Sequence, residues 1–357
     1  MKVAIIGAGI SGLSCAIELE KHGITPTIFE KRSEVGEALG YASLWSKLLI
    51  RVNEDPIKYL KRRYNLDIKP ISKISDMTLM SPHQKTVAKG DLGYTFKRGM
   101  EAYSVEKQFL AKVKSPVTYD TFIELDQIKN DYDRIVVATA VPTISKQLRI
   151  CTDAFLAQAR VAVILGDFNM GSLKTWFDER FAKNAFGYLI PNSTKEASLV
   201  LVVNACASQE IDYYWDKFIK HTAVQNPIIQ QSDTQHYCGI LSAYEKDNIY
   251  FVGNAAGFTD DLIGVGGFNA IESGILAAQA IAMNLDYNKL VKPIADDVLK
   301  LHEFRKTIDT FDNKGFDRMI GYMGLPGIKQ FIYKTPFLKL RYALPVVKLF
   351  NKLKSKK

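Results

Sequence analysis

The sequence predicts an α/β fold in three layers, with helices on both faces of a parallel sheet. An antiparallel β-sheet domain is inserted into it, and a helical C-terminal tail follows. Three observations predict this. Two glycine-rich patches each follow a strand and open a helix: Gly7-Ala8-Gly9-Ile10-Ser11-Gly12 after Lys2-Val3-Ala4-Ile5-Ile6, and Gly253-Asn254-Ala255-Ala256-Gly257 after Ile249-Tyr250-Phe251-Val252. Between them lie alternating segments broken by turn residues such as Ser81-Pro82 and Lys89-Gly90-Asp91. From Leu290 the chain reads as helix, cut into short pieces by Pro326, Pro336 and Pro345.

The first patch has the chemistry of a pyrophosphate cradle. Gly7 permits the tight turn off the strand, Gly9 lets the backbone approach an anion, and Gly12 lets the helix pack close. Ala8 and Ser11 complete the loop, and the helix N-terminus offers free N–H groups. The next strand, Thr25 to Phe29, ends in Glu30-Lys31, which places an acid at the spacing expected for an adenosine ribose. This is an FAD/NAD(P)-binding, Rossmann-like arrangement.

The remaining elements follow in order. Lys31 to Tyr41 reads as a loop, and Asp55 to Tyr64 as a short helix started by Pro56. Ile74 to Phe96 reads as antiparallel strands, Glu101 to Val113 as an amphipathic helix, and Arg134 to Ala140 as a buried strand. Val161 to Asp167, Ala185 to Ile190 and Ser198 to Ala205 read as strands of a second sheet, and Ile211 to His221 as a helix. Residues 235–242 and 249–253 return to the nucleotide domain. Gly264-Val265-Gly266-Gly267 then opens the helical run Phe268 to Leu285. The nucleotide domain is therefore expected to be discontinuous, in 1–45, 97–140 and 243–290. Residues 46–96 and 141–242 form a substrate domain, and 291–357 a helical C-terminal region.

Composition narrows the function classes. The four cysteines are scattered without a CxxC pair, and the five histidines show no metal spacing, so reduced thiols and no metal are expected. The chain enters a strand at once and has no long uncharged apolar run, so neither a signal peptide nor a membrane-spanning helix is expected. The expected location is cytoplasmic. Ten of the 47 Lys and Arg residues, and none of the 38 acids, lie in 318–357, so the rest of the chain is near neutral. Nucleic-acid binding would put that charge on a folded face. Here it alternates with apolar residues, a pattern that suits the anionic inner surface of a membrane. A helical cap with a solvated basic face is the alternative.

Four motifs together resemble the flavoprotein superfamily of aromatic hydroxylases, flavin halogenases and geranylgeranyl reductases, the geranylgeranyl reductase family above all, over about residues 1–290. The first is the N-terminal patch with Glu30. The second is Tyr132 to Ala140, similar to a strand ending in ATG beside the cofactor, with Ala140 at the close approach where glycine is usual. The third is Gly253 to Gly264, similar to GDAAGF-x-DPLTGEG, with Asn254 in place of the aspartate on the flavin's sugar-alcohol chain and Asp261 in place of proline. The fourth is Phe186-Gly187-Tyr188-Leu189-Ile190-Pro191, similar to YxWxFP and equally to the halogenases' WxWxIP; an amphipathic strand ending at proline gives the same pattern.

The resemblance implies FAD bound at Gly7, Ala8, Gly9, Ser11, Gly12, Glu30, Lys31, Arg98, Ala138, Gly253, Asn254, Gly264, Gly266, Gly267 and Phe268. It also implies a substrate cavity lined by Phe186, Tyr188, Ile190 and Pro191. The flavin carries the chemistry, so no catalytic side chain is assigned. The implied activity is reduction of carbon–carbon double bonds in a hydrophobic, prenyl-type substrate, with NAD(P)H or reduced ferredoxin as electron donor. A monooxygenase or halogenase is the alternative, favoured by Gly267-Phe268-Asn269, and a non-catalytic prenyl-binding escort is a third. The cysteine-glycine pair frequent in the reductases' loop after the ribose acid is absent from Glu34 to Gly40.

Overall fold

The computed structural model describes residues 1–327. The smaller of two sheets has the order β13 (Glu245–Lys246), β14 (Ile249–Phe251), β7 (Arg134–Val137), β1 (Val3–Ile6), β2 (Thr27–Phe29) and β6 (Val117–Thr118). All its pairings are parallel except the β13–β14 edge. Its central strands are short apolar runs because helices leave them no wet face. Helix α1 (Ile10–Lys21) packs along α8 (Gly267–Met283), with α3 (Val105–Leu110) beside α1. The short helices α4 (Leu125–Ile128) and α5 (Thr143–Gln147), and the start of α9 (Tyr287–Ile308), add apolar residues to the same core.

The larger sheet has the order β12 (Ile228–Leu241), β8 (Cys151–Leu165), β11 (Glu196–Asn204), β10 (Phe186–Pro191), β9 (Ser172–Trp176), β4 (Ser72–Met80), β5 (Lys85–Arg98) and β3 (Tyr41–Ser46). It curls until β3 meets β11 again, where Ala42 N donates to Ser198 Oγ at 2.9 Å. Helix α7 (Ile211–Thr222) covers one face, setting Trp215 and Phe218 against Leu189, Leu199 and Leu201, with α6 (Glu179–Ala182) beside it. Helix α2 (Pro56–Tyr64) is capped by Asp55, whose Oδ1 accepts from Ile57 N and Lys58 N at 3.1 Å. Helix α10 (Asn313–Gly324) lies on β5, where Thr86 Oγ1 donates to Ile320 O at 2.7 Å.

Several elements differ from the sequence expectation. The helix expected over Glu101 to Val113 is confined to Val105–Leu110, because Ser104 caps it by accepting from Lys107 N at 3.2 Å. Tyr41–Ser46 belongs to the large sheet, so the first small-sheet segment stops before Tyr41. The strand expected at Val161 to Asp167 is the end of a 15-residue strand, Cys151–Leu165. Strand β9 was not expected, and it pairs with β4 in parallel. Residues 318–324 of the basic tail form part of α10, and the tail expectation for 328–357 lies outside the described residues.

Candidate functional site

The two glycine patches converge. Strand β1 ends in Gly7 at φ +105°, a conformation that favours glycine, and a Cβ there would stand 2.7 Å from Ala138 O. A Cβ on Gly12 would meet Gly7 O at 2.0 Å, so α1 sits directly on the turn. Gly9 is different: nothing lies within 4 Å of the position its Cβ would take. It is the N-cap of α1, with no side-chain cap, so the first N–H groups of the helix face that space. Gly253 closes over the same helix, since a Cβ there would be 2.7 Å from Ser11 Oγ.

At the ribose end Glu30 is buried, and its carboxylate accepts from Ala8 N at 2.9 Å and Arg32 N at 3.0 Å. These bonds fix its direction and leave lone pairs for a sugar hydroxyl. Lys31 is exposed beside it, and Lys107 of α3 reaches the adjoining loop at Glu34, 2.5 Å away. Lys107 had not been singled out in the sequence. Arg98 ends β5 and is not at a helix start. Its Nε donates to the buried Glu106 at 2.5 Å, and its guanidinium lies 6.0 Å from the Tyr41 ring centre.

Asn254 explains its own departure from aspartate. Its Nδ2 donates to Ala140 O at 2.5 Å, a bond a carboxylate could not make. Its Oδ1 is buried with no partner among the described residues. A ribityl hydroxyl would satisfy that oxygen. Ala140 is exposed, so its methyl group is tolerated where glycine was expected.

The turn before α8 is organised by Asp260, whose carboxylate accepts from Leu262 N at 3.0 Å, Ile263 N at 2.8 Å and Val265 N at 2.7 Å. Burial pushes this carboxyl up to about 7; the three N–H bonds work against that, and neighbouring Asp261 adds to it. The turn's own N–H groups at 262, 263 and 265 are therefore spent internally. Gly264, Gly266 and the uncapped start of α8 remain to meet a ligand. Phe268, expected among the cofactor-binding residues, has its ring buried between Trp45 at 5.9 Å and Tyr59 at 5.8 Å, which leaves its backbone to face a cofactor. Trp45 had been missed. Its Nε1 lies 2.6 Å from where a Gly267 Cβ would stand, and the alternation in Tyr41 to Ser46 is the signal for it.

On β10, Phe186, Tyr188 and Ile190 share the face away from α7, while Leu189 packs under α7. The Phe186 and Tyr188 rings stack at 6.2 Å and lie in one cluster with Ile263 of the turn. Pro191 closes the strand against Ala197. Burial raises the hydroxyls of Tyr188 and Tyr41, so both hold their protons through the physiological range.

These features fit FAD: an open anion site at Gly9, an aimed carboxylate at Glu30, an orphan amide oxygen at Asn254 and an uncapped helix at Gly266. Gly9→Val should fill the anion space without disturbing the fold and abolish FAD binding. Glu30→Ala should weaken binding by about 1.5–3 kcal/mol through lost charged hydrogen bonds. Gly12→Val, by contrast, should lower the thermal midpoint itself. Titration of refolded apoprotein with FAD, followed by flavin fluorescence, together with thermal unfolding, checks all three. Unchanged affinity in Gly9→Val would remove the phosphate site.

Comparison with known proteins agrees with this geometry. A family model for an NAD(P)-binding Rossmann-like domain matches residues 5–46. Digeranylgeranylglycerophospholipid reductase 3 of Methanosphaera stadtmanae is 23% identical over 348 residues, covering 89% of this chain and 85% of that protein. A geranylgeranyl bacteriochlorophyll reductase-like protein from Thermoplasma acidophilum superposes with a TM-score of 0.73 at 14% identity, covering 97% of this chain and 98% of that one. A flavin-dependent brominase superposes with a TM-score of 0.66 at 14% identity, covering 99% of each chain. The chain shares the fold of flavoproteins that include a geranylgeranyl reductase-like protein and a flavin-dependent brominase, and over most of its length it is similar in sequence to a digeranylgeranylglycerophospholipid reductase.

Proposed function

We propose that the chain is an FAD-dependent oxidoreductase that reduces carbon–carbon double bonds of a hydrophobic, prenyl-type substrate. The observation that carries the FAD assignment is the meeting of both glycine patches over Ser11, together with the buried Asn254 Oδ1, unpaired among the described residues. The near end-to-end similarity to a reductase of a prenylated lipid supports the substrate class.

FAD bound here, once reduced by the electron donor, would supply a hydride to one carbon of the double bond, and a proton from solvent would complete the other. The chain does the rest. Gly7 to Gly12 and the first N–H groups of α1 hold the pyrophosphate, Glu30 orients the ribose, and Gly264, Gly266 and the start of α8 offer N–H groups to the pyrimidine end. Phe186, Tyr188 and Ile190 exclude water and orient an apolar chain. Burial keeps the Tyr41 and Tyr188 hydroxyls protonated.

Under nitrogen, chemically reduced protein mixed with a geranylgeranyl lipid should yield product heavier by two hydrogens per saturated bond. Product formed only with oxygen would instead support a monooxygenase or halogenase. That second reading is favoured by the brominase likeness and by Asn269, whose Nδ2 braces the turn at Phe258 O, 3.1 Å away. The electron donor is proposed to be NAD(P)H or reduced ferredoxin, distinguished by which of them reduces the bound flavin.

No helix among the described residues is long and apolar enough to cross a membrane. We further propose that the basic tail holds the enzyme on an anionic membrane surface, each Lys or Arg near it contributing about 1 kcal/mol. Anionic liposomes should sediment the full chain at low salt and release it at high salt. Removal of 328–357 should abolish sedimentation while FAD binding persists. A full chain that ignores such liposomes would leave the tail a structural cap.

A further inference from the structure

Behind the turn that faces the cofactor lies a group of polar side chains that the proposed chemistry does not use. Asp260 turns inward and ties the turn to itself, while Asp261 turns the other way. Asp261 is buried, and its Oδ2 is 2.5 Å from Nδ1 of His302 on α9. Its Oδ1 is buried with no partner among the described residues. From β12, His236 faces the turn at Gly264, with its Nε2 3.1 Å from where a Cβ would stand, and Cys238 Sγ lies 3.5 Å from that nitrogen. Arg305, one turn beyond His302, is taken up by Asp309 and by the Phe155 ring. His302 is thus the donor that Asp261 has.

A buried carboxylate held by one donor depends strongly on it. Losing a charge-assisted hydrogen bond costs more than the bond contributes in water, because the remaining charge stays desolvated. The related motif has proline at this position, which fixes a turn through its locked φ. Here the position is held by a hydrogen bond to a helix of another layer.

We propose that Asp261 and His302 form a latch that positions the flavin-facing turn. Through Asp261 the latch fixes Gly264, Gly266 and the uncapped start of α8, and so sets how firmly the chain holds negative charge at the pyrimidine end of the flavin. Both are positioning residues and touch neither substrate nor cofactor. The inference rests on the FAD assignment above.

The test measures FAD affinity and midpoint potential in the full chain and in His302→Phe, His302→Gln, Asp261→Ala, Asp261→Asn and Asp261→Pro. His302→Phe should weaken FAD binding about tenfold or more, the effect of one lost charged hydrogen bond. It should weaken the reduced form further. A tenfold loss selective for reduced flavin moves a two-electron potential about 30 mV more negative. His302→Gln, which retains a donor, should recover most of both quantities. Asp261→Pro should bind FAD like the parent, because the ring replaces the latch. Should His302→Phe fail to fold, Asp261→Ala, which removes the acceptor, is expected to show the same two losses, whereas Asp261→Asn, which keeps one, should show them less. A folded His302→Phe or Asp261→Ala with parental affinity and potential would overturn the latch. A parent chain that binds no FAD would overturn the cofactor assignment instead.

Discussion

The structure depends on the close crossing of α1 and α8. A Cβ on Gly274 would meet Ser11 O at 2.2 Å, and one on Gly253 would meet Ser11 Oγ at 2.7 Å. The helices approach this closely because Gly274 has no side chain where α8 crosses α1. That contact brings an N-terminal strand-turn-helix and one about 250 residues later to the same side of one sheet. A dinucleotide long enough to span both would have its phosphate end at Gly9 and its ring end at Gly264 to Phe268. Neither patch is a complete site alone.

Buried polar groups hold the rest in register with this crossing. Glu272, one turn beyond Phe268, is buried in α8 and accepts from Tyr59 Oη at 2.8 Å and Tyr64 Oη at 3.2 Å, with Arg51 also bonded to it. Those partners come from the segment that follows β3, so the large sheet is tied to the helix that opens the cofactor site. Unpaired, such a carboxylate would cost several kcal/mol. Asp260 performs the same service within the turn. Buried acids therefore brace both the turn and α8.

The first patch was legible because its residues are local: strand, glycines, helix and acid lie within 30 residues, and each has a backbone reason. The second patch was legible by the same rule, and the alternation of Phe186, Tyr188 and Ile190 gave their shared face. Other features were not legible, because they are set by partners distant in sequence. Strand β9 exists through its parallel pairing to β4, and no period in Ser172–Trp176 announces that neighbour. Arg98 was placed by motif, yet Glu106 takes its Nε. Phe268 sits at the motif position for a cofactor contact, but Trp45 and Tyr59 bury its ring. Asn254 was expected to bind in spite of its departure from aspartate; the structure adds that its amide answers Ala140 O.

Hydrogen exchange of the apoprotein with FAD, and separately with ADP, tests the central claim most directly. If one dinucleotide bridges both patches, FAD should slow exchange of amides 8–12 and 264–269 together, while ADP slows the first set and leaves the second unchanged. Protection of 8–12 alone by FAD would contradict the account, since the second patch would then be structure without a ligand.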